Sequence, residues 1–195
     1  MKKVLLATAL LLPFGGLQAA ETISWDYAGV SYQQKDVLGE DFKGLGFTGS
    51  KLLGNSNFFV NGSLSFTSAD DEFFGETIDY DFNTISAGLG YRHSVSKTTD
   101  VFGVVSYEDA EIEVSYAGES ESESEDGHSF KVGLRSLVTD SFELSGSINY
   151  VTFEESETGF TLSAMYHINH IVSVNVGYDK LDDLKTTSLG AVFFF

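Results

Sequence analysis

The sequence predicts an all-β protein, an antiparallel up-and-down transmembrane β-barrel of ten strands. Apolar and polar residues alternate with a period of two from Trp25 to the end of the chain, as in a strand with two different faces. The connections between these segments are mostly short and long in turn. The chain ends in Phe193, Phe194 and Phe195. A soluble domain would expose these rings by fraying, whereas a sealed barrel wall holds them against lipid.

The first 20 residues have the organisation of a secretory signal peptide. Lys2 and Lys3 form a basic start, and residues 4–17 are mainly apolar. Small residues follow and predict cleavage after Ala19 or Ala20. The segment is too short for a membrane anchor and is followed by polar sequence, which disfavours a retained helix. We therefore expect a signal peptide at 1–20 and one barrel domain at 21–195.

The composition excludes several classes of partner. Without Lys2 and Lys3, 9 basic residues stand against 29 acidic ones, a net charge of −20. Such a chain repels nucleic-acid phosphates and anionic lipid headgroups. It has no cysteine, so disulfides and lipid attachment at cysteine are excluded. No motif calls for a cofactor.

Alternation and turn chemistry place the ten strands. An eight-strand count is the main alternative. The predicted strands are 25–33, 42–53, 57–68, 78–92, 100–116, 129–138, 142–153, 159–168, 171–178 and a last strand that ends at 195.

The connections differ between the two ends of the predicted barrel. Those at 54–56, 93–99, 139–141 and 169–170 are mostly tight, and those at 34–41, 69–77, 117–128, 154–158 and 179–185 are mostly longer and more acidic. Outer-membrane barrels have short periplasmic turns and long extracellular loops. An even strand count then puts both termini on the periplasmic side.

Two predicted strands change phase. In the fourth, Tyr80 and Phe82 share one parity and Ile85 takes the other. In the fifth, Val105 and Ala110 have opposite parity in the same way. Either a β-bulge resets each strand, or the outer halves stand above the membrane, where facing matters less.

A soluble periplasmic sandwich or lipocalin-like barrel is the competing fold, because it also alternates. It would bury its apolar face in a core. Here the apolar face is large and aromatic, whereas the other is rich in Gly, Ser, Thr and Asn. Small polar residues suit a narrow wet lumen better than a dry core.

Aromatic residues cluster near the predicted periplasmic strand ends. A girdle at the lipid headgroups explains them without any ligand. They are Trp25, Tyr27, Tyr91, Phe142, Tyr166, Phe193 and Phe195.

These features together resemble the small outer-membrane β-barrel proteins of Gram-negative bacteria. The end of the chain, with Ser188, Gly190, Phe193 and Phe195, is similar to the assembly signal of that class. The resemblance implies a monomer in the cell outer membrane, surrounded by lipid and lipopolysaccharide. It also implies periplasmic chaperones and the barrel-assembly machinery as partners during biogenesis. The class includes adhesins, structural barrels, narrow porin-like channels and a few enzymes, so fold does not choose the function.

Four charged residues are candidates for ion pairs in the lumen. Lys131 and Arg135 have the inward parity of the sixth strand, and Glu111 and Glu113 that of the outer half of the fifth. If these strands pair, the charges meet inside and plug the lumen, because unpaired charge is costly there. A charge-selective pathway is the alternative.

An acidic run separates the fifth and sixth strands. Glu119, Glu121, Glu123 and Glu125 alternate with serine and are followed by Asp126. We interpret the run as a solvated loop kept soluble by repulsion. The alternative is a weak, pliable site for divalent cations, which take several carboxylate oxygens.

The resulting functional hypothesis is a non-enzymatic barrel with a plugged lumen and a structural or surface-interaction role. A narrow channel for small solutes or ions is the first alternative. An outer-rim hydrolase is the second, since Asp126, His128 and Ser129 offer a carboxylate, a base and a hydroxyl. Residues this close on an extended chain alternate faces, so adjacency alone does not make a triad.

Overall fold

The computed structural model describes residues 22–37, 39–73, 76–116 and 119–195, which form one closed antiparallel β-barrel. Each strand pairs with its neighbours in sequence, and the last pairs with the first. The ten strands confirm the predicted count against eight. They are β1 Tyr27–Val37, β2 Glu40–Leu52, β3 Phe58–Phe73, β4 Glu76–Ser94, β5 Thr99–Tyr116, β6 Glu119–Thr139, β7 Phe142–Thr152, β8 Ser156–His167, β9 Val172–Leu181 and β10 Leu184–Phe194.

The predicted signal peptide and its cleavage site lie outside the described residues. Within the described part of the chain, we find no helix of the length and apolarity needed to cross a membrane. Both ends of the barrel chain, and the turns that follow β2, β4, β6 and β8, lie at the same end. The connections at both ends are short, so their length does not orient the barrel. Strands β3 to β6 instead project past the rest of the barrel at the opposite end, as the long extracellular hairpins of outer-membrane barrels do. We therefore name this the periplasmic end and the other the extracellular end.

Strand β10 closes the barrel, as the C-terminal residues predict. Tyr27 lies opposite Phe194, and the pairing continues to Asp36 and Lys185. Leu189 and Phe193 point outward, and Leu189 is 60% exposed. Val192 and Phe194, of the other parity, are buried. The terminal phenylalanines therefore belong to a paired wall.

The two faces of the wall have opposite chemistry. Serine, threonine, asparagine and glycine dominate the inner face along most of the barrel's height. Large apolar side chains are exposed on the outer face, where only lipid can cover them. A soluble sandwich would have buried this face. The exposed outer residues include Val30, Tyr32, Leu45, Phe47, Phe66, Leu89, Leu134, Ile148, Leu162, Val176 and Leu189.

Strands β3 to β6 extend beyond the rest of the barrel. They contain 16 to 21 residues, whereas the other six contain 10 to 13. About 9–11 residues suffice to cross the bilayer, so the far ends of these hairpins stand outside it. The acidic run 119–126 is the first part of β6 and pairs with 109–116 of β5. The predicted loop is thus wrong, because backbone pairing with β5 satisfies this segment whatever its charge.

Of the two explanations offered for the phase change in the fourth and fifth strands, the β-bulge is wrong. The β4–β5 register runs without a shift from Ile78 opposite Tyr116 to Ser94 opposite Asp100. In the described pairings, a shift occurs only in β6, between Leu137 and Thr139. The change in residue pattern therefore marks the membrane boundary. Beyond it, the outer face is polar and the inner face turns apolar.

Candidate functional site

Residues 23–26, which precede β1, fold into the periplasmic end of the lumen and close it. Trp25 is 3% exposed. Its ring centroid lies 4.4 Å from that of Phe59 and 5.4 Å from that of Phe102. Its Nε1–H donates to Asp100 Oδ2 at 2.7 Å. Ile23, Val104 and Leu137 belong to the same buried cluster. The result is an apolar closure with one polar anchor.

Gly90 makes room for this closure. It lies directly opposite Phe59 on the neighbouring strand, and a Cβ at position 90 would overlap the Phe59 ring. Phe59 is 2% exposed and packs against the Trp25 ring. The missing side chain of Gly90 thus lets the Phe59 ring lie flat across the wall, beneath Trp25.

Arg135 fastens the N-terminal segment to the wall. Its Nε and Nη2 donate to the two carboxylate oxygens of Glu143 at 2.6 and 3.2 Å. Its Nη1 donates to the Ser24 carbonyl at 2.9 Å, and its Cζ lies 4.7 Å from the centroid of the Trp25 ring. A two-pronged arginine–carboxylate pair is strong and directional. One guanidinium therefore joins β6, β7 and the closing segment.

Two carboxylates at the periplasmic end, Asp100 and Glu143, have further neighbours among the described residues. Arg92 Nη1 donates to Asp100 Oδ2 at 3.0 Å, so the carboxylate that holds Trp25 has a counter-ion. His167 Nε2 lies 3.5 Å from Glu143 Oε2, and its Nδ1 lies 2.7 Å from Ser173 Oγ. These pairings offset the cost of removing charge from water.

Apolar side chains narrow the extracellular end of the lumen. Phe42 is buried, and its ring centroid lies 6.1 Å from that of Phe82. A cavity of about 350 Å³ lies on the lumen side, and a vestibule of about 370 Å³ lies outside. The two spaces adjoin at five apolar residues that border both: Phe82, Ala110, Phe153, Leu181 and Leu184.

The interior between the two closures is polar. A second lumen cavity, of about 260 Å³, lies above the periplasmic closure and shares Ser63, Glu108 and Lys131 with the upper one. Glu108 accepts hydrogen bonds from Ser86 Oγ at 3.0 Å and Ser129 Oγ at 2.5 Å. The lumen is thus wettable space with an apolar constriction at each end.

The structure brings only part of the predicted lumen cluster together. Lys131 and Arg135 line the lumen, but Glu111 and Glu113 do not. These two share the outward parity of Tyr107 and lie opposite Ser124 and Ser122, because β5 has no bulge. The predicted pairing of Lys131 and Arg135 with Glu111 and Glu113 is therefore wrong.

Sequence reasoning missed Glu143, the true partner of Arg135. The signal was available in the spacing. The tight turn after β6 places Leu137 opposite Glu143 and Arg135 opposite Ser145, so Arg135 and Glu143 are diagonal neighbours on one face. Trp25 and His167 were missed as lumen residues for a different reason, since nothing in the alternation shows that residues 23–26 turn inward.

The acidic run faces two ways. Glu119, Glu121, Glu123 and Glu125 have the inward parity of Ser129, whereas Asp126 faces outward opposite Asp109. Glu123 and Glu125 line the vestibule with Glu157, Asp182 and Asp183. Among the described residues, no group of three or more His, Cys, Asp or Glu side chains could hold a metal ion. The suggested cation site thus has no geometric centre in this part of the chain.

The candidate hydrolase residues do not converge. Ser129 is buried on the lumen side and donates to Glu108. His128 lies on the opposite face with its ring against Tyr107, at a centroid distance of 6.1 Å. Asp126 shares the outward parity of His128. A base and a nucleophile must be within hydrogen-bond reach, and these two are on opposite sides of the wall.

The aromatic girdle is smaller than predicted. Tyr91, Tyr166, Phe193 and Phe195 are exposed on the outer face. Trp25 and Tyr27 instead line the periplasmic lumen, and Phe142 is half-buried. In the terminal strand, Ser188 and Gly190 take the inward parity of Val192 while Phe193 and Phe195 face outward.

The sequence matches the family model of the outer membrane protein beta-barrel domain over residues 7–159. A search of curated proteins found no match. The structure resembles the NanC porin, with a TM-score of 0.54, 10% identity and coverage of 86% of this chain and 99% of that one. It also resembles Ail, the attachment invasion locus protein of Yersinia pestis, with a TM-score of 0.44, 20% identity and coverage of 87% and 95%. At these identities the NanC likeness shows the barrel fold alone.

Proposed function

We propose that this chain, which belongs to the outer membrane protein beta-barrel domain family and lies in the cell outer membrane, is a non-enzymatic barrel with a plugged lumen. Its role is structural or surface-interacting. The observation that carries the proposal is the pair of closures. Trp25 and Phe59 fill the periplasmic end, and the apolar constriction around Phe82 narrows the other.

The outer face of the extended hairpins supports the surface-interaction part of this proposal. Three pairs of carboxylates lie directly opposite each other there: Asp70 with Asp79, Asp81 with Glu113, and Asp109 with Asp126. Like charges in such cross-strand positions destabilise a sheet. They suit a surface that attracts basic segments of another macromolecule and repels polyanions. Lipid and lipopolysaccharide would surround the barrel below, and the assembly machinery would recognise β10.

A narrow channel is the second candidate function, and one observation favours it. The two polar lumen cavities meet at Glu108 and Lys131, so a displaced closure would leave a wettable path. Ten strands nevertheless enclose little more space than eight, which side chains can fill. Conduction therefore requires movement of both residues 23–26 and the Phe82 constriction.

Proteoliposome swelling in an isotonic small sugar tests the plug. Vesicles with the mature barrel should swell no faster than empty vesicles. A variant in which Trp25, Phe59, Phe82 and Phe153 are all changed to Ala, which removes both closures, should raise the rate. Tyr91→Ala, which removes an exposed aromatic from the outer face, should not. Rapid swelling with the unaltered protein would favour the channel instead. For the surface role, binding of a lysine-rich peptide should fall when Asp109 and Asp126 become Asn, and should weaken with salt.

A further inference from the structure

Lys35 is a buried cation without a counter-ion among the described residues. It lies on the inner face of β1, opposite Phe42 and Thr186, and is 4% exposed. Its Nζ lies 4.5 Å from the centroid of the Phe82 ring. In the described part of the chain it forms no salt bridge or hydrogen bond. Arg135 and Arg92, the other inward cations near a closure, both have carboxylate partners.

The upper lumen cavity contains two carboxylates that could pair with Lys35, but both accept hydrogen bonds from hydroxyl groups instead. Besides Lys35, its charged residues of inward parity are Lys131, Glu108 and Asp179. Glu108 accepts from two serine hydroxyls, and Asp179 accepts from Thr161 Oγ1 at 2.5 Å. Lys131 forms no salt bridge with a described residue. The carboxylates of this cavity are thus hydrogen-bonded to hydroxyl groups, and neither lies within salt-bridge distance of Lys35.

An unpaired ammonium in such a place is unfavourable. Burial removes it from water, and no carboxylate of a described residue lies within salt-bridge distance of its Nζ. The face of Phe82 offsets only part of the loss, because a ring quadrupole is a weaker partner than a carboxylate. An anion from solution would complete the site.

The other lining residues of the cavity indicate which chemical groups the anion has besides its charge. Its upper wall is apolar and consists of Phe82, Val151, Phe153, Leu181 and Leu184. Binding pockets of a few hundred Å³ typically combine such walls with a small number of polar anchors. We propose that the upper lumen binds a small organic monocarboxylate, with its carboxylate on Lys35 Nζ and its apolar tail against the Phe82–Leu184 wall.

The acidic vestibule lies outside this site. Glu123, Glu125, Glu157, Asp182 and Asp183 line the vestibule and not the lumen cavity. Charges at the rim act mainly on association rate, whereas a buried pair acts on dissociation. The acidic rim therefore slows the arrival of a carboxylate, and Lys35 holds the carboxylate after arrival. The proposal is independent of whether the barrel conducts.

Saturation-transfer NMR on the mature barrel in micelles tests the site with soluble probes. The probes are pentanoate, acetate, which lacks the tail, and pentylammonium, which carries the opposite charge. Pentanoate should bind, and the other two should bind at least about tenfold more weakly, as expected for loss of a charged hydrogen bond or of its apolar contacts. Lys35→Met should weaken pentanoate binding by about tenfold or more, and Lys35→Arg should restore most of it.

Lys43→Met is the matched control, because Lys43 is exposed on the outer face of the adjacent strand. It should bind pentanoate as the unaltered barrel does. Absence of pentanoate binding to the unaltered barrel would overturn the proposal. So would equal binding of pentanoate by Lys35→Met, or of pentylammonium by the unaltered barrel. Far-ultraviolet circular dichroism verifies that each variant is folded, and the comparison of pentanoate with acetate and pentylammonium on the unaltered barrel keeps the test decisive if Lys35→Met does not fold.

Discussion

The two halves of the lumen differ in whether their buried cations have a carboxylate partner. At the periplasmic end, Arg135 meets Glu143 in two hydrogen bonds, and Arg92 meets Asp100 in one. At the extracellular end, Lys35 meets only the face of Phe82 among the described residues. The paired half holds residues 23–26 in place, whereas the unpaired half places the Lys35 ammonium group on the larger of the two lumen cavities. Pairing thus marks the part of the lumen that is fixed, and its absence marks the part that can accept a ligand.

The largest expected effect comes from breaking the periplasmic pair. Arg135→Ala leaves the Glu143 carboxylate buried without its partner and releases the Ser24 carbonyl. We expect the free energy of unfolding to fall by about 4 kcal/mol, the usual cost of an orphaned buried charge. Urea unfolding in micelles measures it. The Arg135→Met, Glu143→Leu double variant should recover most of the loss; a double variant as unstable as the single one would contradict the assignment.

A smaller effect should follow from filling the space at Gly90. Gly90→Ala places a methyl group against the Phe59 ring, which must shift and loosen the contact with Trp25. Overpacking of this kind costs about 2 kcal/mol. Gly103→Ala is the control, since its Cβ would meet only the Lys131 carbonyl oxygen at 3.9 Å. Equal unfolding midpoints for the two variants would show that Phe59 is not confined.

In the extracellular half, removal of a buried charge should raise the free energy of unfolding instead of lowering it. Lys35→Met replaces an unpaired ammonium by an apolar side chain of similar length beside Phe82. We expect the free energy of unfolding to rise by about 1 kcal/mol in the absence of any ligand. The same urea titration measures it. A loss of stability as large as that of Arg135→Ala would show that Lys35 has a counter-ion after all, and the contrast between the halves would fail.

The smallest effect belongs to the exposed pair of Asp26 and Lys51, whose Nζ and Oδ2 lie 2.8 Å apart. Partial burial acts to raise the pKa of Asp26, but hydrogen bonds from Lys51 and the Leu52 N–H and the Lys51 charge hold it below the ordinary value of 3.8. The carboxylate therefore contributes stability above about pH 3.8, which is lost as pH falls further. The contribution is well under about 1 kcal/mol for so exposed a pair. Lys51→Met should flatten this acid limb in a pH series of urea midpoints; an unchanged limb would assign it to other carboxylates.

The barrel itself was predictable because its signals are local. Alternation with a period of two and turn residues depend on near neighbours, so the strand count and the closing role of Phe193 and Phe195 followed from the sequence. The far ends of β5 and β6 could not be predicted as strands, since a Glu–Ser repeat is polar on both faces and has the pattern of a loop. The outward Glu111 and Glu113 were misplaced because the membrane boundary was taken for a bulge.

The site was less predictable than the fold. Trp25 is a residue type typical of an aromatic girdle. Only the path of residues 23–26 into the lumen shows that its side chain closes the periplasmic end. Glu143 could have been found as the diagonal neighbour of Arg135 across a tight turn. The lack of a counter-ion at Lys35 among the described residues could not have been predicted from the sequence. It depends on the positions of Glu108 and Asp179, which accept hydrogen bonds from hydroxyl groups.

Single-channel recording in planar bilayers tests the central claim, that side chains close this lumen at both ends. The unaltered barrel should insert without resolvable conductance steps. A variant that removes both closures, with Trp25, Phe59, Phe82 and Phe153 changed to Ala, should open a small pore of uniform conductance. Regular open steps from the unaltered barrel, or a folded quadruple variant that stays silent, would contradict the claim.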